Sequence, residues 1–366
     1  MRRVKLERSL VSPKADFWLL GGASLVVWAL LTVGQEFAVT RGFLTATQLE
    51  TQFWVVALFS YPHFAASQWL CYSRGKAFWR KNWRELFAVP VLLMAALAWV
   101  YCQEKAIGAL GLRFFLTAFL LLSGWHFAMQ AFGSSVVSFQ YDGIRLDDKQ
   151  RSALKASVLT LALYFFFASR FRTAADREVY GLELLSLSLP DWAYFAMAAL
   201  VVLSALWAGH LLVFAPWRRT HTFPRGRAIV PWVSLFFWWL PSLRSPQFFL
   251  YGIPLFHGLQ HYAFTYRFER ARGKSQGAIL LLAAGLVGFG YALHRTVPLA
   301  LDDRGLGPRS NFFFLCFTFA INIHHYFLDR ANWRMSDPET RRLLLGNLPA
   351  RTAVSSSAAP TYASQS

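Results

Sequence analysis

A chain of 366 residues that is 55% hydrophobic, 17% aromatic and only 15% charged, with a mean hydropathy of +0.34, has a membrane composition that excludes an ordinary soluble domain. The net charge of +18 does not point to nucleic acid, because the basic residues fall between apolar runs and no nucleic-acid-binding motif accompanies them. Three scattered cysteines, Cys71, Cys102 and Cys316, imply neither a disulfide framework nor a CxxC metal site.

A helix that crosses a bilayer needs about 20 mostly apolar residues. Ten stretches meet or approach this: 17–39, 51–73, 86–103, 114–137, 153–170, 191–215, 228–243, 246–266, 276–298 and 310–329. The basic segment Met1–Lys14 precedes an apolar run too long for a cleavable signal, so 17–39 reads as the first crossing. The seventh stretch carries Pro231, Trp232, Trp238, Trp239 and Pro241 and is short enough to be re-entrant or tilted. Lys and Arg concentrate in cytoplasmic loops. With the N-terminus inside, every inside segment holds more of the 37 basic residues than any outside one. The expected fold is therefore an all-α, polytopic membrane helical bundle of about ten spans with both termini cytoplasmic, in a bacterial inner membrane. Residues 1–348 are expected to form a single transmembrane domain, since the longest loop, about 170–189, is too short to bury a core. The Ser-, Ala-, Thr- and Pro-rich segment 349–366 is expected to be a disordered cytoplasmic tail.

Six histidines fall within these stretches: His63, His126, His257, His261, His324 and His325. An ionisable side chain at bilayer depth is a functional-site hypothesis by default. At ~1.5 Å rise per residue, all six lie between the bilayer middle and the cytoplasmic boundary, in a slab roughly 10 Å thick. The bland reading of a lone histidine here, His63 or His126 taken singly, is a hydrogen-bonder between helices. Agreement in depth across four parallel spans favours a shared site. His257 and His261 form an HxxxH pair whose imidazoles share one helix face and can reach one metal ion. His324 and His325 point about 100° apart, so one is expected to be a ligand and the other a neighbour of the ligands or a substrate contact. Asp329, four after His325, and Gln130, four after His126, are placed to orient rings, as is Ser67, four after His63, and Tyr262, next to His261, is expected among these neighbours of the ligands. His210, His221 and His294 are expected at the interface or in solvent.

Imidazole without thiolate suits iron, zinc or copper. An aromatic wall that includes Trp125, Phe256, Tyr262, Phe264 and Tyr326 suits an isoprenoid or acyl chain, although most such rings do no more than pack or face lipid. The order Pro62-His63, then Phe256-His257-x-x-x-His261, resembles the Brp/Blh family of membrane carotene-cleaving dioxygenases. That resemblance implies an iron held by histidines of several helices. The family's further ligand histidine on an early helix has no counterpart in the first span, so His126 or His325 would have to supply it. The closing block from Asn322 to Arg334 resembles uncharacterised polytopic bacterial membrane proteins, which names no activity. The expected function is a membrane oxidoreductase or oxygenase with non-haem iron, acting on a hydrophobic lipid or isoprenoid, with membrane lipids around it and an electron-donor protein as partner. The alternatives are a haem-binding membrane protein and a proton-coupled transporter.

Overall fold

The computed structural model describes residues 8–36, 56–170, 178–185, 189–221, 223–239 and 252–346. The described chain is almost entirely helical. The first helix, α1, runs through Pro13–Phe17, Trp18–Gly22 and Ala23–Glu36, and α2 through Val56–Ser60 and Tyr61–Tyr72. They are followed by α3 (Lys76–Lys81), α4 (Arg84–Ile107), α5 (Leu110–Tyr141), α6 (Asp148–Arg170), α7 (Asp191–Arg218) and α8 (Gly226–Trp239). The chain closes with α9 (Ile253–Ala271), α10 (Gln276–Asp303), α11 (Phe312–Asn332) and α12 (Pro338–Leu345). The only described strands are Glu178–Val179 and Leu182–Glu183, a small hairpin in the long loop, turned by Tyr180 and Gly181 at positive φ.

Six helices, α4, α5, α6, α7, α10 and α11, are long and apolar enough to cross a membrane. The other four predicted crossings overlap α1, α2, α8 and α9; the far end of the seventh, 240–243, and the tail 349–366 lie outside the described residues. Burial separates centre from periphery. In α11, 67% of the apolar window is buried, against 11% in α7 and α10. The peripheral helices show large apolar side chains outward, among them Trp192, Leu206 and Leu281, a surface suited to hydrocarbon and not to water. The reverse holds for α9. It carries His257, Gln260, His261, Arg267 and Glu269, all buried, so these polar groups face protein.

Proline placement shapes the helices that build the centre. Four wide turns, Val56–Ser60, Arg84–Ala88, His210–Phe214 and Ala292–Thr296, each end two residues before a proline, Pro62, Pro90, Pro216 and Pro298, whereas a further one, Trp18–Gly22, is followed by none. A proline in a helix lacks the N–H donor and presses on the carbonyl four residues earlier, and widening the turn relieves the clash. The released carbonyls find side-chain donors. Tyr72 Oη donates to Leu86 O at 2.8 Å, and Tyr262 Oη reaches Leu58 O at 3.2 Å and Phe59 O at 2.9 Å. Gly258 lets α9 approach this turn closely, since a Cβ there would sit 2.7 Å from Phe59 O.

Candidate metal centre

Five of the six predicted histidines converge. The rings of His63 (α2), His126 (α5), His257 and His261 (α9) and His325 (α11) lie with centroids 4.7–6.1 Å apart in the contacting pairs. All five are buried. Two groups offer ligand atoms within 4.8 Å of one another: His63, His257 and His325, and His126, His325 and Asp329. His325 belongs to both. The groups are also joined by His126 and His257, whose Nε2 atoms are 3.2 Å apart. Either one ring donates to the other, or both face a common ion. Two nitrogens about 2.0–2.1 Å from a tetrahedrally held ion would be about 3.3 Å apart.

Local structure explains each orientation. His63 follows the wide turn before Pro62, and its Nδ1 lies 3.3 Å from the exposed Phe59 carbonyl. With Nδ1 donating there, Nε2 is left as a free lone pair pointing inward. Tyr262 does not face the cluster; it donates to the same carbonyl and so steadies His63 at one remove. Gln130 donates to the backbone oxygen of His257 at 2.9 Å, not to a ring, and fixes the height of α9 against α5. His126 stacks on Tyr326 at 4.5 Å, and the Tyr326 hydroxyl is held by Ser123 at 2.5 Å.

Asp329 is the carboxylate of the site. Its described ion-pair partners are imidazoles only: His261 at 3.4 Å, His325 at 3.5 Å and His126 at 3.7 Å. Ser67 Oγ donates to Asp329 Oδ1 at 2.5 Å and lies 2.9 Å from His261 Nε2. Because the hydroxyl has one hydrogen, His261 Nε2–H donates to Ser67. Thr265 Oγ1, 3.2 Å away, then donates to His261 Nδ1. Both nitrogens of His261 are thereby occupied, so this ring orients Asp329 through Ser67 instead of offering a lone pair.

Five buried atoms of the cluster have no hydrogen-bond partner among the described residues: His63 Nε2, His257 Nδ1, both nitrogens of His325, and Asp329 Oδ2. Each such atom costs about 1–3 kcal/mol if left unsatisfied. A bound cation would satisfy several at once and offset the buried carboxylate charge. The donor set therefore fits a metal.

His324 is not part of the cluster. Its Nε2 faces the Glu85 carbonyl at 3.1 Å, another oxygen of a proline-widened turn. His294 corrects the expectation of an interfacial or solvent position. It is buried, stacked at 4.7 Å on Tyr61 and at 4.9 Å on Phe64, because the turn before Pro298 faces α2 and not the exterior. His210 and His221 are exposed, as expected.

A cavity of about 470 Å³ adjoins the cluster. His126, His261, Tyr326 and Asp329 line one end, and its wall is mostly apolar, with Trp125, Met129, Val136 and Phe264. No protein-family model matches this chain, and neither a curated protein nor a solved structure shows significant similarity to it.

Proposed function

We propose that this chain is a membrane-embedded, metal-dependent oxidoreductase, an oxygenase built on non-haem iron, that acts on a hydrophobic lipid or isoprenoid chain. The convergence of four histidines from four helices with one carboxylate, many of their ligand atoms unpaired, carries this reading. His63, His126, His257 and His325 are assigned as ligands, and Asp329 as a ligand or counter-charge. An imidazole-rich set without thiolate is the ligand chemistry of iron, copper or zinc. The resemblance of Pro62-His63 and His257-x-x-x-His261 to the Brp/Blh family supports iron. The bundle is read as ten crossings of a bacterial inner membrane with both ends in the cytoplasm.

Bound iron would supply the one-electron and dioxygen chemistry that side chains lack. The protein's own residues do the rest. The Phe59 carbonyl selects the His63 tautomer, and the series Thr265, His261, Ser67 fixes the direction of Asp329. The apolar wall of the cavity excludes water and accepts a hydrocarbon beside His126. A separate electron-donor protein supplies reducing equivalents where the reaction consumes them. Contacting rings 4.7–6.1 Å apart leave no slot for a porphyrin between them, which favours a bare ion over haem.

Elemental analysis of the purified full-length protein tests the proposal. About one iron per chain is expected, lost in His257→Ala, with no Soret band in the absorption spectrum. Absence of any stoichiometric transition metal would overturn it, and zinc or copper in its place would replace iron. One observation favours a second reading. The hydrogen-bonded series from Thr265 to Asp329 resembles a proton relay, as a proton-coupled carrier would need. Metal-free protein whose substrate flux in proteoliposomes vanishes with His126→Ala would establish that reading instead.

A further inference from the structure

Exposure marks the mouth of the cavity. Of the residues that line it, only Trp125 and Arg330 are exposed. Each adjoins a residue of the histidine end, Trp125 beside His126 on α5 and Arg330 beside Asp329 on α11, so the cavity opens at the level of the histidines. Earlier in both helices there is no gap between them. The rings of Phe119 and Phe319 have centroids 5.8 Å apart, and Ser123 meets the Tyr326 hydroxyl at 2.5 Å. No residue of α5 before Trp125, and none of α11 before Tyr326, lines the cavity.

From the histidines the cavity therefore runs one way only. Its lining follows α5 through Met129, Gly133, Val136 and Val137 to Gln140. Leu344 of α12 lines the far end, since its carbonyl accepts a hydrogen bond at 2.7 Å from Tyr141, the final residue of α5. Val137 and Leu344 are both buried. Beyond them the lining turns polar, with Gln140 one turn on and Arg151 in the first turn of α6. A hydrocarbon gains nothing by going farther, because covering polar groups without pairing them costs free energy. At ~1.5 Å per residue, His126 to Val137 spans about 16 Å. That matches the hydrocarbon depth of one leaflet, roughly half of a ~30 Å core.

We propose that the cavity is a ruler. The apolar end of a linear long-chain lipid enters between Trp125 and Arg330, passes His126 and Asp329, and stops against Val137 and Leu344. The rest of the molecule stays outside the mouth. The carbons held at the histidines then lie about 16 Å from the inserted end, so pocket depth selects an internal position of the chain for reaction. That reaction happens there rests on the proposed function; the depth at which a chain stops does not.

Binding of straight-chain primary alcohols of increasing length to the full-length protein in amphipol tests it, by displacement of cis-parinaric acid. Affinity is expected to rise about three- to fourfold with each methylene that reaches the pocket, and to level off once the chain fills it. Val137→Trp is expected to move this break to shorter chains, weakening alcohols at the original break roughly tenfold, the loss of about two buried methylenes, while sparing shorter ones. Leu344→Ala is expected to move the break to longer chains, which unfolding cannot imitate. No binding, affinity that rises without a break, or a break that Leu344→Ala leaves in place overturns the proposal. Metal analysis on the same preparations separates the two readings. Metal without a movable break removes this inference alone, and a movable break in metal-free protein removes the iron reading alone.

Discussion

His325 offers an atom to both candidate triads, whereas its neighbour His324 faces the Glu85 carbonyl. His325→Ala is therefore expected to abolish stoichiometric metal, and His324→Ala to leave it within error, by elemental analysis of matched preparations. Ser67 holds Asp329 and His261 together but offers no ligand. Ser67→Ala should weaken metal affinity about 10- to 100-fold, read by chelator competition, without changing stoichiometry at saturation. Position within apolar stretches was enough to single these histidines out from sequence, and five of the six meet in the fold. Rotation was not legible. Which of His324 and His325 turns inward depends on α2 and α4 packed beside them, and spacing along α11 carries no record of those partners. His294 was missed for the same reason: its burial is created by Tyr61 and Phe64, more than 200 positions away in the chain.

At the scale of elements, prolines decide how the site is presented. Pro62 widens the turn that exposes the Phe59 carbonyl, and Gly258 allows α9 to press against that carbonyl. A methyl group at 258 would meet Phe59 O at 2.7 Å, so α2 and α9 must separate. Gly258→Ala is expected to cost about 1–3 kcal/mol in stability and to lose metal, because His63 and His257 sit on the two helices forced apart. Thermal unfolding in detergent with parallel metal analysis checks both effects. The helical stretches themselves were legible from apolar length. Four of the wide turns could have been anticipated from the proline two residues beyond each, a regularity that hydropathy counting ignores and that Trp18–Gly22 does not follow. The short helices α3 and α12 are too polar to register as crossings, and their docking depends on ion pairs between distant residues.

On the scale of the whole molecule, α12 closes one end of the bundle through such pairs. Asp337 caps it at Thr340 N and binds Lys81 at 2.5 Å, with Arg74 at 3.5 Å. Burial acts to raise the Asp337 carboxyl, but the hydrogen bonds from Lys81 and Thr340 outweigh it and hold the group at about 2, below the ordinary 3.8. A depressed carboxylate stabilises docking fully above the unfolded value and loses that contribution as pH falls from there toward about 2. Pepsin cleavage near Leu343–Leu345 should thus be slow at pH ~4–5 and accelerate below about pH 3.8. Asp337→Asn should expose Arg341 and Arg342 to trypsin already at neutral pH.

Both triads include His325, and among the described residues α11 is the last long helix. A polypeptide made from its N-terminus holds no complete candidate triad until Phe312–Asn332 has packed against the helices before it. Metal loading of the candidate site would then wait on this helix, and a chain stalled before residue 312 would lack a member of each candidate triad.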